Sequence, residues 1–202
     1  AVSNGIDLSK YKKDPKKEEV FRKHFNIQEG EKFVLCAGLY FRRKGIEDFV
    51  EVARRMPDVR FIWLGSINKW LIPRAIRRLV EKDHPSNVEF PGYFKGAVFQ
   101  GAMTGADAFF FPSYEETEGI VVLEALAAHQ HVVLRDIPVY HGWVDQESAE
   151  LCHSVDEFVD SLEKVLSGQV DKRDAGDRVA QSRSIDLVAD QLVKAYQQVL
   201  EM

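Results

Sequence analysis

The sequence predicts an α/β domain: a Rossmann-like, doubly wound parallel sheet with helices at its C-terminal end. Three observations carry this. Short runs of continuous apolar residues recur along the chain, among them FVLCAG (33–38), VRFIWLG (59–65), DAFFFPS (107–113) and HVVLRD (131–136). Strands apolar at nearly every position belong to sheets covered on both faces. Segments of helical periodicity lie between them, and strict alternation gives parallel strands joined by right-handed crossovers. The third observation is size, since 202 residues suit one core with at most a small extension.

The elements follow in order. Residues 16–25 place Val20, Phe21, His24 and Phe25 at helical spacing and end before the turn-like EGE at 29–31. After the strand 33–38 comes a helix over 45–56, with Ile46, Phe49, Val50, Val52 and Ala53 on one face. The strand 59–65 leads to a helix over 70–82, whose Pro73 fits the first turn, where a missing N–H costs little. NVEFPG (87–92) is a strand, 96–106 a helix and 107–113 a strand. EGIVVLEALAAHQ (118–130) is a helix, 131–136 a strand and AELCHS (149–154) the last strand. Helices follow at 155–167 and 184–201, the latter grouping Leu187, Leu192, Val193, Tyr196 and Leu200. DKRDAGDR (171–178) reads as a solvated connection. AVSNGID opens on an Asn4-Gly5 turn without Met, so an excised domain is expected.

Composition narrows the function classes. Net charge is 27 − 32 = −5, which offers no global basic field for nucleic acid. Cys36 and Cys152 lie too far apart for metal-ligand spacing, and Cys36 in FVLCAG reads as a buried free thiol of a reducing compartment. No apolar stretch approaches the ~20 residues of a membrane span, so a cytoplasmic domain is the expectation. Neither G-x-G-x-x-G nor G-x-x-x-x-G-K-[ST] occurs, against dinucleotide and P-loop chemistry. No Asp-x-Asp pair occurs either, so no metal cofactor is expected.

In open parallel sheets ligands bind at the carboxyl ends of the strands, so the loops that follow strands are the ones to read. In PSYEETEGIVVLEALA (112–127) Pro112 stops a strand, carboxylates follow and Gly119 opens a helix. Free amides and a positive dipole end favour a phosphate there, with no side chain at Gly119 to block it. Glu124 sits in an otherwise apolar helix, where an ionised carboxylate needs a donor, and paired sugar hydroxyls would serve. Glu116 could reach a second set of hydroxyls, while Glu115 and Glu118 face solvent or orient the loop. Structural readings stand beside these: a helix-start preference for Glu118, an internal arginine for Glu124, or a hard cation held by Glu115, Glu116 and Glu118. In LYFRRKGIED (39–48), Arg42, Arg43 and Lys44 precede a helix start, where cations oppose the dipole but an incoming diphosphate would welcome them. A solvated basic turn is the plainer reading. PGYFKG (91–96) would let backbone approach a flat base beside Tyr93 or Phe94. For His129 and His131 a connecting role outweighs a metal site, and for His141, at the crevice edge, substrate contact is the lesser reading.

The E-x7-E block in PSYEETEGIVVLEALA, with RRKGIEDFVEVA, NVEFPGYF and VSNGID, resembles the C-terminal domain of glycosyltransferase family 4 along nearly the whole chain. The resemblance implies one half of a GT-B fold: residues 1–202 as the nucleotide-sugar domain, with an N-terminal acceptor domain elsewhere. By match, Glu116 would hold the donor hexose and Glu124 the ribose. Gly119, Ile120 and Val121 would meet hexose and diphosphate, Lys44 the phosphates, and the backbone around Tyr93 the uracil. Many relatives carry Arg directly after the first strand's Gly, whereas Leu39 follows Gly38 here, so Arg42 or Arg43 is expected to supply that charge. A narrower likeness, in RKGIEDF, FIWLG and RDIPVY, is to bacterial diacylglycerol glucosyltransferases. These imply retaining transfer of glucose from UDP-glucose to a lipid hydroxyl, with Glu116, Lys44 and Arg43 as catalytic groups. Polysaccharide or teichoic-acid hexosyl transfer, and a non-catalytic nucleotide-sugar-binding module, are the alternatives. Independently, Lys69, Arg74, Arg77, Arg78 and Lys82 against Glu81 make 5 − 1 = +4 beside Trp70, Leu71 and Ile72, a patch suited to peripheral contact with anionic membrane at its inner face. A core role for Trp70 and Ile72 with a merely wet Arg face is the other reading.

Overall fold

The computed structural model describes residues 3–200. Its strands are β1 (Phe33–Ala37), β2 (Arg60–Leu64), β3 (Val88–Gly92), β4 (Ala108–Phe111), β5 (Val132–Arg135) and β6 (Glu150–Cys152). They form one parallel sheet in the order β3-β2-β1-β4-β5-β6. The helices are α1 (Pro15–His24), α2 (Ile46–Arg55), α3 (Arg74–Glu81), α4 (Ala97–Gly105), α5 (Ile120–Ala127), α6 (Val155–Leu166), α7 (Arg173–Ser182) and α8 (Ile185–Leu200). Every residue of β1, β4 and β5 is buried, as continuous apolar runs require of inner strands. Helices α2, α3 and α6 form one layer, and α1, α4, α5 and α7 form the other. At the centre Phe49 of α2 meets Phe61, Trp63 and Phe110, with ring centroids 5.0–5.8 Å apart.

The chain builds outward from β1 to β3, crosses back over β1, and builds outward again from β4 to β6. Loops leaving the carboxyl ends of β1 and β4 therefore turn in opposite directions. A crevice opens between them at this switch point.

Several expectations need correction. The helix expected over 70–82 is a 3-10 turn (Lys69–Leu71) followed by α3. Pro73 lies at the N-cap, not in the first turn, and Ile72 before it is extended (φ −113°, ψ 149°), the conformation a following proline favours. The stretch 171–178 is no connection but the start of α7. Its buried Gly176 and Ala180 pack toward α5, a stripe so small that the surrounding charges mask it. Arg42–Lys44 form their own 3-10 turn before α2. In α1, Phe21 and Phe25 are buried but Val20 is exposed. In α8 only Val188 is buried, while Leu187, Leu192, Val193, Tyr196 and Leu200 are 40–86% exposed. Periodicity reveals an apolar face but not what covers it. Residues 1, 2 and 201 of the expected segments, including Val2 of VSNGID, lie outside the described residues.

Candidate functional site

The two loops at the switch point are bolted together by backbone. Gly45 closes the Arg42–Lys44 turn in the left-handed region (φ 79°), and a Cβ there would lie 2.3 Å from the Pro112 carbonyl oxygen. Only glycine combines that conformation with that approach. The Arg43 carbonyl accepts from the Tyr114 amide at 2.8 Å and the Ser113 hydroxyl at 3.2 Å. The Arg43 guanidinium returns a bond to the Glu115 carbonyl at 2.8 Å.

This docking sets the side chains. Lys44 Nζ donates to Glu116 Oε1 at 2.5 Å, and the two side chains are only 12% and 7% exposed. The same ammonium lies 5.2 Å from the centroid of the Phe111 ring. Arg42 faces outward and pairs with Glu47 of α2 at 2.9 Å. Of the two arginines left open by the sequence, Arg43 is the one held against the β4 loop. Cys36 lies beneath the pair, its thiol pushed up by burial and so unreactive.

Gly119 starts α5 in the left-handed region (φ 78°, ψ 47°), and no side chain caps the helix. The first-turn amides, including those of Ile120 and Val121, thus lack a side-chain acceptor, and Ile120 is half exposed. Gly119 also rests on Tyr140, whose ring edge would be 2.8 Å from an added Cβ. Glu118 points away from the crevice, accepting from the Asn4 amide at 2.8 Å and lying 3.6 Å from Arg183. It orients the loop.

Glu124 is half-buried in α5, and its partner is neither an arginine nor a lysine but the Tyr11 hydroxyl, at 2.5 Å. Asp7 presents that tyrosine by capping the 3-10 turn Leu8–Tyr11 through the Ser9 amide at 3.1 Å. Burial raises the Glu124 carboxyl above its ordinary value, and the Tyr11 bond pulls it partly back. The internal arginine of this region is Arg135, which binds Asp48, donates to the Pro112 carbonyl at 3.1 Å and lies 3.9 Å from the centroid of the Tyr114 ring. Tyr114 donates to the same Asp48 at 2.6 Å. This brace ties the β4 loop to α2. On the third loop Tyr93 is exposed, whereas Phe94 turns inward, its ring 5.1 Å from that of His24 and 5.4 Å from that of Phe25. The Gly92 amide donates to the Tyr40 hydroxyl at 3.2 Å, joining this loop to the one after β1. His141 is exposed and pairs with Asp136 at 2.8 Å.

The structure therefore gathers Lys44, Arg43, Glu116 and the Gly119 tip on one edge of the crevice, with Glu124 on the same helix behind it. Arg42 is drawn away to Glu47. Sequence reasoning missed Tyr11, Tyr140, Arg135 and Asp48, which carry no local motif. Among the described residues no group of three or more His, Cys, Asp or Glu side chains could hold a metal ion.

Fold and loops define a doubly wound α/β domain with a glycine-lined crevice at the switch point of its sheet, where Lys44 and Glu116 meet. The chain belongs to the glycosyl transferases group 1 family, whose model matches residues 17–182. It is 48% identical, over all of its length and 61% of the relative, to the processive diacylglycerol alpha-glucosyltransferase of Acholeplasma laidlawii. It is 28% identical, over 69% of its length and 38% of the relative, to the alpha-galactosylglucosyldiacylglycerol synthase of Streptococcus pneumoniae. The chain thus spans less than two thirds of the curated relatives it matches. Among solved structures, sucrose-phosphate synthase from Thermosynechococcus elongatus superposes with a TM-score of 0.85 at 21% identity, over 99% of this chain and 52% of that one. Anabaena HepE, solved with UDP-glucose, gives 0.83 at 16% identity, over 98% and 57%. At such identities these two likenesses establish the fold alone, and the expected Rossmann-like class is borne out.

Proposed function

We propose that the chain is the donor-binding domain of a retaining hexosyltransferase that takes glucose from UDP-glucose and passes it to a lipid hydroxyl such as that of diacylglycerol. The observation that carries this reading is the shielded Lys44–Glu116 pair beside the uncapped tip of α5. A buried cation on one loop, a carboxylate on the next and a dipole end at hand suit a diphosphate flanked by sugars. Lys44, Arg43 and the amides from Gly119 to Val121 would stabilise charge gathering on the departing diphosphate. Glu116 would orient the hexose so that the acceptor attacks the face the leaving group vacates. Glu124 would take the ribose and the backbone near Tyr93 the base. This arrangement works without a metal. The acceptor pocket belongs to an N-terminal domain, in keeping with a relative of which the chain covers 61%. The name of that relative, a diacylglycerol glucosyltransferase, supports glucose and a glycerolipid.

Calorimetric titration with UDP and UDP-glucose tests the reading. The chain is expected to bind both, and Lys44→Ala to weaken both by about ten- to a hundredfold, the loss of one charge-assisted bond. Binding of neither ligand by the folded chain would sink it.

A peripheral site on the inner face of a membrane completes the proposal. Trp70 and Leu71 are 76% and 68% exposed beside the exposed Arg74 and Arg78, while Ile72 is buried and anchors the turn. No helix among the described residues is long and apolar enough to cross a membrane. Sedimentation with vesicles rich in phosphatidylglycerol should bring the chain down, and the double variant Trp70→Ala, Leu71→Ala should stay in the supernatant. Equal sedimentation of the two would exclude this patch.

A further inference from the structure

The phenol of Tyr140 stands out among the tyrosines. Its side chain is fully buried, yet its hydroxyl meets no hydrogen-bond partner among the described residues. Buried polar groups are almost always paired, and an exception calls for an explanation. The ring is fixed: it belongs to the 3-10 turn Pro138–Tyr140 after β5, meets Trp143 edge-on at 5.8 Å, and supports Gly119 from below. The hydroxyl itself would lie 3.2 Å from a Cβ added at Gly119, directly under the loop that carries Glu116. Glu116 is also the charge that most raises the Tyr140 phenol, after burial itself. In this state Glu116 is committed to Lys44.

The geometry points to an exchange of partners: when a donor draws Lys44 onto its phosphates, Tyr140 donates its hydroxyl to Glu116 and holds that carboxylate in place for the hexose. Tyr140 is thus a positioning residue, acting through Glu116 and touching no substrate. This rests on the donor-site reading above and deepens it. The logic is electrostatic. A carboxylate that loses its ammonium inside a shielded pocket must find another donor, and the orphaned hydroxyl is a buried donor beside Gly119, three residues along the same loop. The cost of leaving the phenol unpaired while Lys44 holds Glu116 is offset once a diphosphate takes Lys44, so the interaction supports UDP and UDP-glucose alike.

Tyr140→Phe separates this from a merely structural ring. The variant keeps the ring under Gly119 and removes only the hydroxyl, so its melting temperature without ligand should equal or exceed that of the wild type. In calorimetry its affinity for UDP and for UDP-glucose should each fall about tenfold, the loss of one hydrogen bond to a charged group. In a Glu116→Ala background, which removes the acceptor, the same change should cost nothing further. Unchanged affinity of Tyr140→Phe for UDP-glucose would overturn the inference while leaving the donor site standing. So would a fall in melting temperature that betrays a hidden structural bond. A wild-type chain that binds neither nucleotide would overturn the donor site itself.

Discussion

Glu124 and Tyr11 are each half-answered questions in the sequence. An acid in an apolar helix demands a donor, and a tyrosine eight residues into the described chain offers one, but nothing local joins positions 113 apart. Their bond makes a prediction in pH. Burial raises the native carboxyl of Glu124 above the ordinary glutamate range. The folded state therefore holds that proton more tightly than the unfolded chain does. The stability it adds is full at acid pH and declines as pH rises through the raised value. In the proposed ribose role the ionised form is the stronger acceptor, so UDP affinity should climb over the window in which this stability is lost. Tyr11→Phe removes the bond that lowers the carboxyl, and should move the midpoint of that climb to higher pH. Titrations with UDP at steps between about pH 5 and about pH 8 check this. Superimposable profiles for the two proteins would refute it. Lys44 and Glu116 were legible as candidates because chemistry demanded them at strand ends. That they neutralise each other was not, for their meeting depends on how two loops dock.

At the scale of elements, the loops are only as good as what braces them. Arg135 ends β5, reaches across β4 to Asp48 of α2, and holds the Pro112 carbonyl on the way. Both side chains are shielded, at 10% and 18% exposure. Arg135→Met should leave Asp48 uncompensated and cost about 3–5 kcal/mol in urea unfolding. UDP binding should fall with it, because the β4 loop is released from α2. A loss below about 1 kcal/mol would mean the pair behaves as a surface bridge. The packing of α1 on α4 makes a second case. A Cβ at Gly101 would lie 2.0 Å from the Lys17 carbonyl oxygen of α1. Gly101→Ala must push α1 off its neighbour, at about 1–3 kcal/mol. Gly101 counted in the sequence as one small residue in a run of apolar ones. Its role emerges only where two helix backbones touch.

Over the whole molecule the clearest surface feature is α8. Tyr196 and Val199 are 69% exposed and Leu200 is 86% exposed, an apolar face without cover among the described residues. If that face carries no part of this chain's stability, Val193→Gln and Val199→Gln should each change unfolding free energy by less than about 0.5 kcal/mol. Self-association at high concentration should drop in the same variants, as read by sedimentation velocity. A large destabilisation would reveal packing the structure lacks. The acidic net charge of −5 leaves the +4 patch around α3 as a local exception to the surface, which is why ionic strength should weaken vesicle binding.

What could be read along the chain was whatever repeats or follows from neighbours. Apolar runs alternating with helical faces specify a covered parallel sheet, and the position of each loop after its strand specifies where a ligand crevice opens. Hence the sheet, most of its helices and the glycine-opened loops were predictable, whereas α7, with its small buried stripe, was not. Tertiary structure alone decided the pairings: Glu124 with Tyr11, Lys44 with Glu116, Arg135 with Asp48, and Tyr140 under Gly119. The first three join residues 113, 72 and 87 positions apart. The physical reason is range. Backbone conformation answers to residues a few positions away, whereas a buried polar side chain answers to whichever group the folded layers bring within 3 Å or so.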